Sequence, residues 1–247
     1  MQEVTRQQYL QAMGIQLWEG RVVPVLDVID TATENLQPEH LSLPSTEQQP
    51  ADMTGQTDSK PDWPELQASV ENCTDCQLHE SRIYPVFGCG NRQASVMFIG
   101  EAPGADEDRQ GEPFVGRAGQ LLNEMLLAIG FSREQVYIAN ILKCRPPNNR
   151  DPHESEIQCC EHYLIRQIEL VQPDVIVALG RVAAQNLLKS DSNLGSLRGQ
   201  AHKVAGILPP IMVTYHPAYL LRKPTDKRKV WEDLKVVLAT SRQAGDK

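Results

Sequence analysis

Four short apolar runs, each followed by a helical pattern, restrict this chain to few architectures. The runs are Ser95–Ile99, Val136–Ala139, Asp174–Leu179 and Ile211–Tyr215. They are too short for helices and rich in β-branched residues, so they read as strands buried on both faces. Helical periodicity follows each one, over Gly119–Ile129, Glu154–Val171, Arg181–Leu188 and Lys227–Thr240. That alternation predicts an α/β fold with a central, mostly parallel four-stranded sheet and helices on both faces. Ligands of such sheets bind beyond the carboxyl ends of the strands. Glu101, Asn140 and His216 stand at three of those ends, and the fold would bring them to one crevice.

The beginning of the chain has a different character. Tyr9, Leu10, Met13 and Leu17 recur at helical spacing and predict an amphipathic helix within residues 1–30. Residues 31–65 are rich in Pro, Gln, Ser, Thr, Asp and Glu, which predicts a disordered acidic linker. The folded domain is expected over residues 66–247. Charge divides near the same place. Of 32 acidic and 24 basic residues, residues 1–70 hold eleven and three, which leaves 21 of each in 71–247. The formal charge of −8 therefore belongs to the N-terminal segment and excludes no nucleic-acid partner for the rest. Arg222–Lys229 is a basic stretch of the kind that neutralises phosphates. No basic and apolar leader opens the chain, and no apolar run is long enough for a membrane span. A monomeric, cytoplasmic protein is expected, with the N-terminal segment suited to docking on a protein partner.

Cysteine spacing adds a metal to the expectation. Cys73 and Cys76 form a C-x2-C pair, whose intervening backbone can curl around a metal. Cys144 lies downstream, and Cys160 falls in the helical stretch from Glu154, which can return it to the Cys144 loop. Four thiolates fit an iron–sulfur cluster or structural zinc, and spacing does not separate the two. Cys89 and Cys159 read as buried small hydrophobes.

Three longer blocks carry a family resemblance. Glu101–Leu122 (EAPGADEDRQGEPFVGRAGQLL) resembles the first motif of the family-four uracil-DNA glycosylases. Asn140–Pro152 (NILKCRPPNNRDP) and Tyr215–Arg222 (YHPAYLLR) are similar to their second and final blocks. The match runs from about Cys73 to Leu238. It implies a three-layer α/β/α sandwich, uracil-containing DNA as partner (single- or double-stranded), and a [4Fe-4S] cluster on Cys73, Cys76, Cys144 and Cys160. Cys159 then occupies a non-ligand position, and Cys89 departs from the pattern.

The resemblance also implies roles. Phe114 would stack on a uracil flipped out of the helix, and Asn140 would match its O4 and N3–H edge. His216 would donate to O2 as negative charge builds there, for which a neutral imidazole suffices. Glu107 would position water and stabilise the sugar cation, while Glu101 and the Ala102 backbone shape the pocket. Arg145, Arg150, Arg222 and Lys223 would contact DNA, and Leu220, Leu221 or Arg222 could wedge into the gap left by the flipped nucleotide. A non-catalytic, cluster-bearing relative is the alternative; Glu107, Phe114, Asn140 and His216 occurring together favour the enzyme. A relative that traps uracil on a histidine in an inserted loop is disfavoured, because the loop after Cys144 carries no insertion. No glycine-rich dinucleotide or P-loop motif opens a helix.

Overall fold

The computed structural model describes residues 62–204 and 209–245, together with position 12. The expected N-terminal helix, apart from that position, and the expected linker up to residue 61 lie outside them. Helix α1 (Trp63–Glu71) begins inside the stretch read as linker. The Asp62 carboxylate accepts from the Glu65 amide at 3.2 Å, and the helix buries Leu66 and Val70. Two apolar residues four apart are too little pattern to announce a helix.

Strands β1 (Cys89–Gly90), β2 (Val96–Gly100), β3 (Tyr137–Asn140), β4 (Val175–Leu179), β5 (Ala201–His202) and β6 (Ile211–Thr214) form one sheet in the order β1-β3-β2-β4-β6-β5. The four expected strands are its parallel centre. The expectation of four strands is nevertheless corrected to six, because β1 and β5 add antiparallel edges. Each edge strand has two residues, too few to show a period of two.

Helices α2 (Ala105–Gln110), α3 (Arg117–Ala128), α4 (Glu154–Val171), α5 (Arg181–Leu188), α6 (Leu194–Leu197), α7 (Pro217–Arg222) and α8 (Lys227–Gly245) complete the fold. Alternate strand residues feed two cores. Val96, Phe98, Ile138, Val177 and Met212 pack with Leu122, Met125 and Leu126 of α3, Leu220 of α7 and Leu234 of α8. Met97, Ile99, Ala139, Ile176 and Val213 pack with Leu164 and Ile168 of α4 and Ala183 and Leu187 of α5. The sheet is thus sandwiched between helical layers, and its strands are apolar throughout because both faces are covered.

Register decides where chemistry can occur. Gly100 pairs with Asn140, and Leu179 with Thr214, so the parallel strands end level with one another. The chain goes from β2 to β3 on one side, then back to β4 on the other. The crevice at such a reversal is the usual ligand position.

A buried ionic network fixes β6 to α8. Arg198 pairs with Asp233 at 2.6 and 3.1 Å, and the Thr214 hydroxyl donates to the same carboxylate at 2.6 Å. Burial pushes the Asp233 carboxyl up, with the Thr214 hydrogen bond and the Arg198 charge opposing. Arg198→Met should destabilise the domain by about 3 kcal/mol, since it strands a buried carboxylate; urea unfolding checks this. Replacing both residues by apolar ones should recover most of the loss.

Candidate active site

At the β2–β4 reversal lies a cavity of about 420 Å³. Glu101, Ala102, Glu107, Phe114, Asn140, Arg150, His216 and Arg222 line it, all eight singled out from sequence. Arg145 and Lys223 are not among its lining residues. Tyr219 and Asn149 line it too, and sequence reasoning gave neither a role. Both lie inside the quoted motifs, so the signal was present without a chemical reason attached.

Asn140 ends β3 and is 2 % exposed. Its Oδ1 is buried without a hydrogen-bond partner. Native proteins pair nearly all such atoms, and an unpaired one costs roughly 1–3 kcal/mol. Asn140 lines the cavity, so its amide is the unpaired polar group nearest to a ligand bound there.

Phe114 supplies an aromatic wall. A Cβ on Gly100 would lie 2.5 Å from Asn140 Oδ1 and 2.6 Å from the tip of the Phe114 ring, so only glycine admits both side chains. Phe114 has φ +54°, a left-handed conformation that costs a non-glycine residue about 1–3 kcal/mol. Its neighbours hold it there. Glu107 accepts from the Val115 and Gly116 amides at 3.0 and 3.1 Å and from Gly104 at 3.1 Å. Arg133 donates to the Pro113 carbonyl and to Glu112. This gives Glu107 a duty not foreseen from sequence: one oxygen fastens the Phe114 loop and the other the start of α2.

His216 caps α7, with Nδ1 accepting from the Ala218 amide at 3.1 Å. Accepting at Nδ1 places the proton of the neutral ring on Nε2. The imidazole lies 5.5 Å from the Phe114 ring at an interplanar angle of 32°. Burial pulls its pKa from 6.5 down to about 4; Arg222 adds to that and Glu107 opposes it. Burial likewise pushes the Glu101 carboxyl up, Asp151 adding and Arg181 opposing.

Part of the expected DNA-facing charge is spent internally. Arg150 forms a two-pronged pair with Glu156 at 2.6 and 2.9 Å. Lys223 and Lys229 lie 3.8 and 2.9 Å from Asp226, and Tyr219 donates to the same carboxylate at 2.6 Å. Within the basic stretch Arg222–Lys229, Asp226 thus pairs with two of the lysines.

A second cavity is lined by Cys73, Cys76, Cys144, Cys160 and also Cys159, with apolar walls from Val70, Leu78 and Leu142. Cys159 therefore borders the thiol cavity instead of packing elsewhere, whereas Cys89 lies apart in β1 against Arg133. Arg82 donates to the Cys144 sulfur at 3.0 Å, and the Lys143 amide to the Cys160 sulfur at 3.3 Å. Burial pushes the Cys144 and Cys76 thiols up, and that of Cys160 to about 12. Among the described residues no three His, Cys, Asp or Glu close on a metal-ion site.

The fold and the cavity define an α/β scaffold with an enzyme-like pocket, walled by an aromatic ring, a buried amide and a neutral imidazole. The comparisons with known proteins identify the lineage. The uracil DNA glycosylase superfamily model matches residues 87–235, and the chain belongs to that superfamily. It is 46% identical over 174 residues to a type-4 uracil-DNA glycosylase of Archaeoglobus fulgidus, covering 68% of this chain and 87% of that one. A type-4 enzyme of Thermotoga maritima is 45% identical over 168 residues, covering 67% and 87%. A type-5 uracil-DNA glycosylase of Pyrobaculum aerophilum is 33% identical over 153 residues, covering 55% and 66%.

Two outcomes follow from the geometry. Gly119 takes the place where a Cβ would collide with the Phe114 carbonyl. Gly119→Ala should therefore destabilise by about 1–3 kcal/mol, against the gain in helix propensity, as thermal melting can show. His216 should stay neutral far into acid. Its folded pKa lies below the unfolded one, so its stabilising contribution is complete above pH 6.5 and is lost as pH falls towards 4. An NMR titration should show no His216 inflection between pH 8 and about 5.5.

Proposed function

We propose that this chain excises uracil from DNA by hydrolysing its N-glycosidic bond and leaving an abasic site, as a type-4 uracil-DNA glycosylase does. The unpartnered Asn140 Oδ1 beside Phe114 and His216 carries the reading. Uracil presents an N3–H donor to that acceptor, where cytosine presents a second acceptor. Discrimination therefore comes from one buried atom.

As the C1′–N1 bond breaks, its electron pair moves onto the base and the sugar gains positive charge. His216 Nε2–H donates to uracil O2, where the negative charge gathers. A neutral donor suits this step, since its proton stays on the ring. Water adds to C1′ and loses a proton to solvent, and the departing uracil anion takes one up, so neutral uracil and an abasic sugar result. Glu107 lines the cavity, and its remaining acceptor capacity is available to that water while its fixed charge offsets the sugar cation. Phe114 stacks on the extruded base, and Glu101 and the Ala102 backbone close the pocket. Arg222, on the cavity rim, together with Arg145 and Lys223, attracts the phosphates, with Arg150 contributing from its pair with Glu156.

The cysteine cavity fits a [4Fe-4S] cluster held by Cys73, Cys76, Cys144 and Cys160. Four cysteines line one cavity with apolar walls, and N–H donors are aimed at two of the sulfurs, an arrangement suited to bound thiolate. Such a cluster would tie α1, the loop after β3 and α4 together. Burial raises the Cys76, Cys144 and Cys160 thiols, so empty these three would remain protonated at neutral pH.

Purified protein should convert a uracil-containing oligonucleotide to alkali-labile product. His216→Ala and Asn140→Ala should each lower the single-turnover rate about 10²- to 10³-fold. An unchanged rate in either variant would refute its role. Iron and acid-labile sulfide should be present in equal amounts and fall together in Cys76→Ala; their absence from protein purified without oxygen would refute the cluster.

A further inference from the structure

The loop joining the two cavities contains a lysine that lines the cysteine cavity while its side-chain ammonium has no assigned role in either site. Lys143 is fully buried. Its Nζ donates to the Asn140 carbonyl at 2.9 Å and to Gln167 Oε1 at 2.7 Å. Its own amide donates to the Cys160 sulfur, its carbonyl accepts from the Val86 amide at 2.7 Å, and Cys144 follows it in sequence. Gln167 is held in turn. It is fully buried on α4 and donates to the Phe87 carbonyl at 2.8 Å and to the Tyr137 hydroxyl at 3.2 Å. Tyr137 opens the strand that Asn140 closes.

A buried ammonium is a costly way to bond a carbonyl, and an apolar side chain would fill the same space more cheaply. What the ammonium adds is position. Asn140 cannot be held through its own Oδ1, because that atom must stay free for the ligand. Its backbone is the remaining handle. On one side the sheet holds it, through the pairing of Gly100 with Asn140. On the other side the chain leaves β3 into a turn, where the carbonyl is held by Lys143.

We infer that Lys143 is a positioning residue for base recognition: it fixes the Asn140 carbonyl and aligns the uracil acceptor with the cysteine-bearing loop and α4. The inference deepens the reading of Asn140 given above and rests on it. Lys143 touches neither base nor sugar. It acts through Asn140, so its loss should matter only while the Asn140 amide is there to be aimed.

A double-mutant cycle tests this directly. Lys143→Met keeps the stem and removes the donors; Lys143→Gln keeps one neutral donor. Single-turnover excision, inhibition by free uracil and binding of abasic-site DNA are measured for each, alone and with Asn140→Ala. Lys143→Met should slow excision and weaken uracil inhibition, each by tenfold or more, with abasic-DNA binding within twofold of the parent. Lys143→Gln should recover part of the loss. Combined with Asn140→Ala, Lys143→Met should add less than twofold. A full, independent loss in the Asn140→Ala background would overturn the inference, as would equal weakening of abasic-DNA binding. So would loss of folded protein or of iron in both Lys143 variants, which would make the lysine part of the scaffold. Wild-type excision by Asn140→Ala alone would instead refute the reading of Asn140, whereas a silent Lys143→Met beside a damaged Asn140→Ala would refute only the positioning role.

Discussion

An amide oxygen buried without a partner lowers stability, and this protein keeps one at the mouth of its sheet. Asn140 Oδ1 stays bare because everything around it is otherwise occupied. Gly100 withholds the Cβ that would fill its place, Phe114 stands against it in a backbone conformation other residues must enforce, and the amide's own strand is buried on both faces. The cavity is a consequence of these restraints. Relax any of them and the oxygen could turn to a neighbour or to water.

The same logic explains the unusual use of charge. Glu107 is committed to three backbone amides, which suits a residue that must hold a strained loop. His216 is kept neutral by burial, and with Nδ1 accepting from Ala218 its proton sits on Nε2. Positive charge is partly paired with Glu156 and Asp226, so Arg150 and Lys229 hold the loop and α8 in place. Attraction for DNA then comes from fewer free cations than the sequence displays, and salt should weaken binding less steeply than the count of Lys and Arg implies.

Much of this was legible in the sequence, for physical reasons. Helices α4 and α5 have the predicted bounds, since a 3.6-residue apolar stripe ending near a strand leaves little freedom. The four parallel strands were visible because burial on both faces removes polar residues altogether. The edge strands were not, since two residues carry no pattern. Asn140, His216 and Phe114 could be singled out by strand-end position and motif, and they line one cavity. The duty of Glu107 could not, because its partners at Val115 and Gly116 are set by how the loop folds back. Lys143 was hidden for a similar reason: in sequence it is one more basic residue, and only burial makes it unusual.

Calorimetric titration of the protein with uracil and with N3-methyluracil tests the central claim most directly. If the bare Asn140 oxygen selects the base, uracil binds and the N3-methylated ring, which has lost the donor, binds at least tenfold more weakly. Equal affinity for the two would contradict the account, because the acceptor would then be idle.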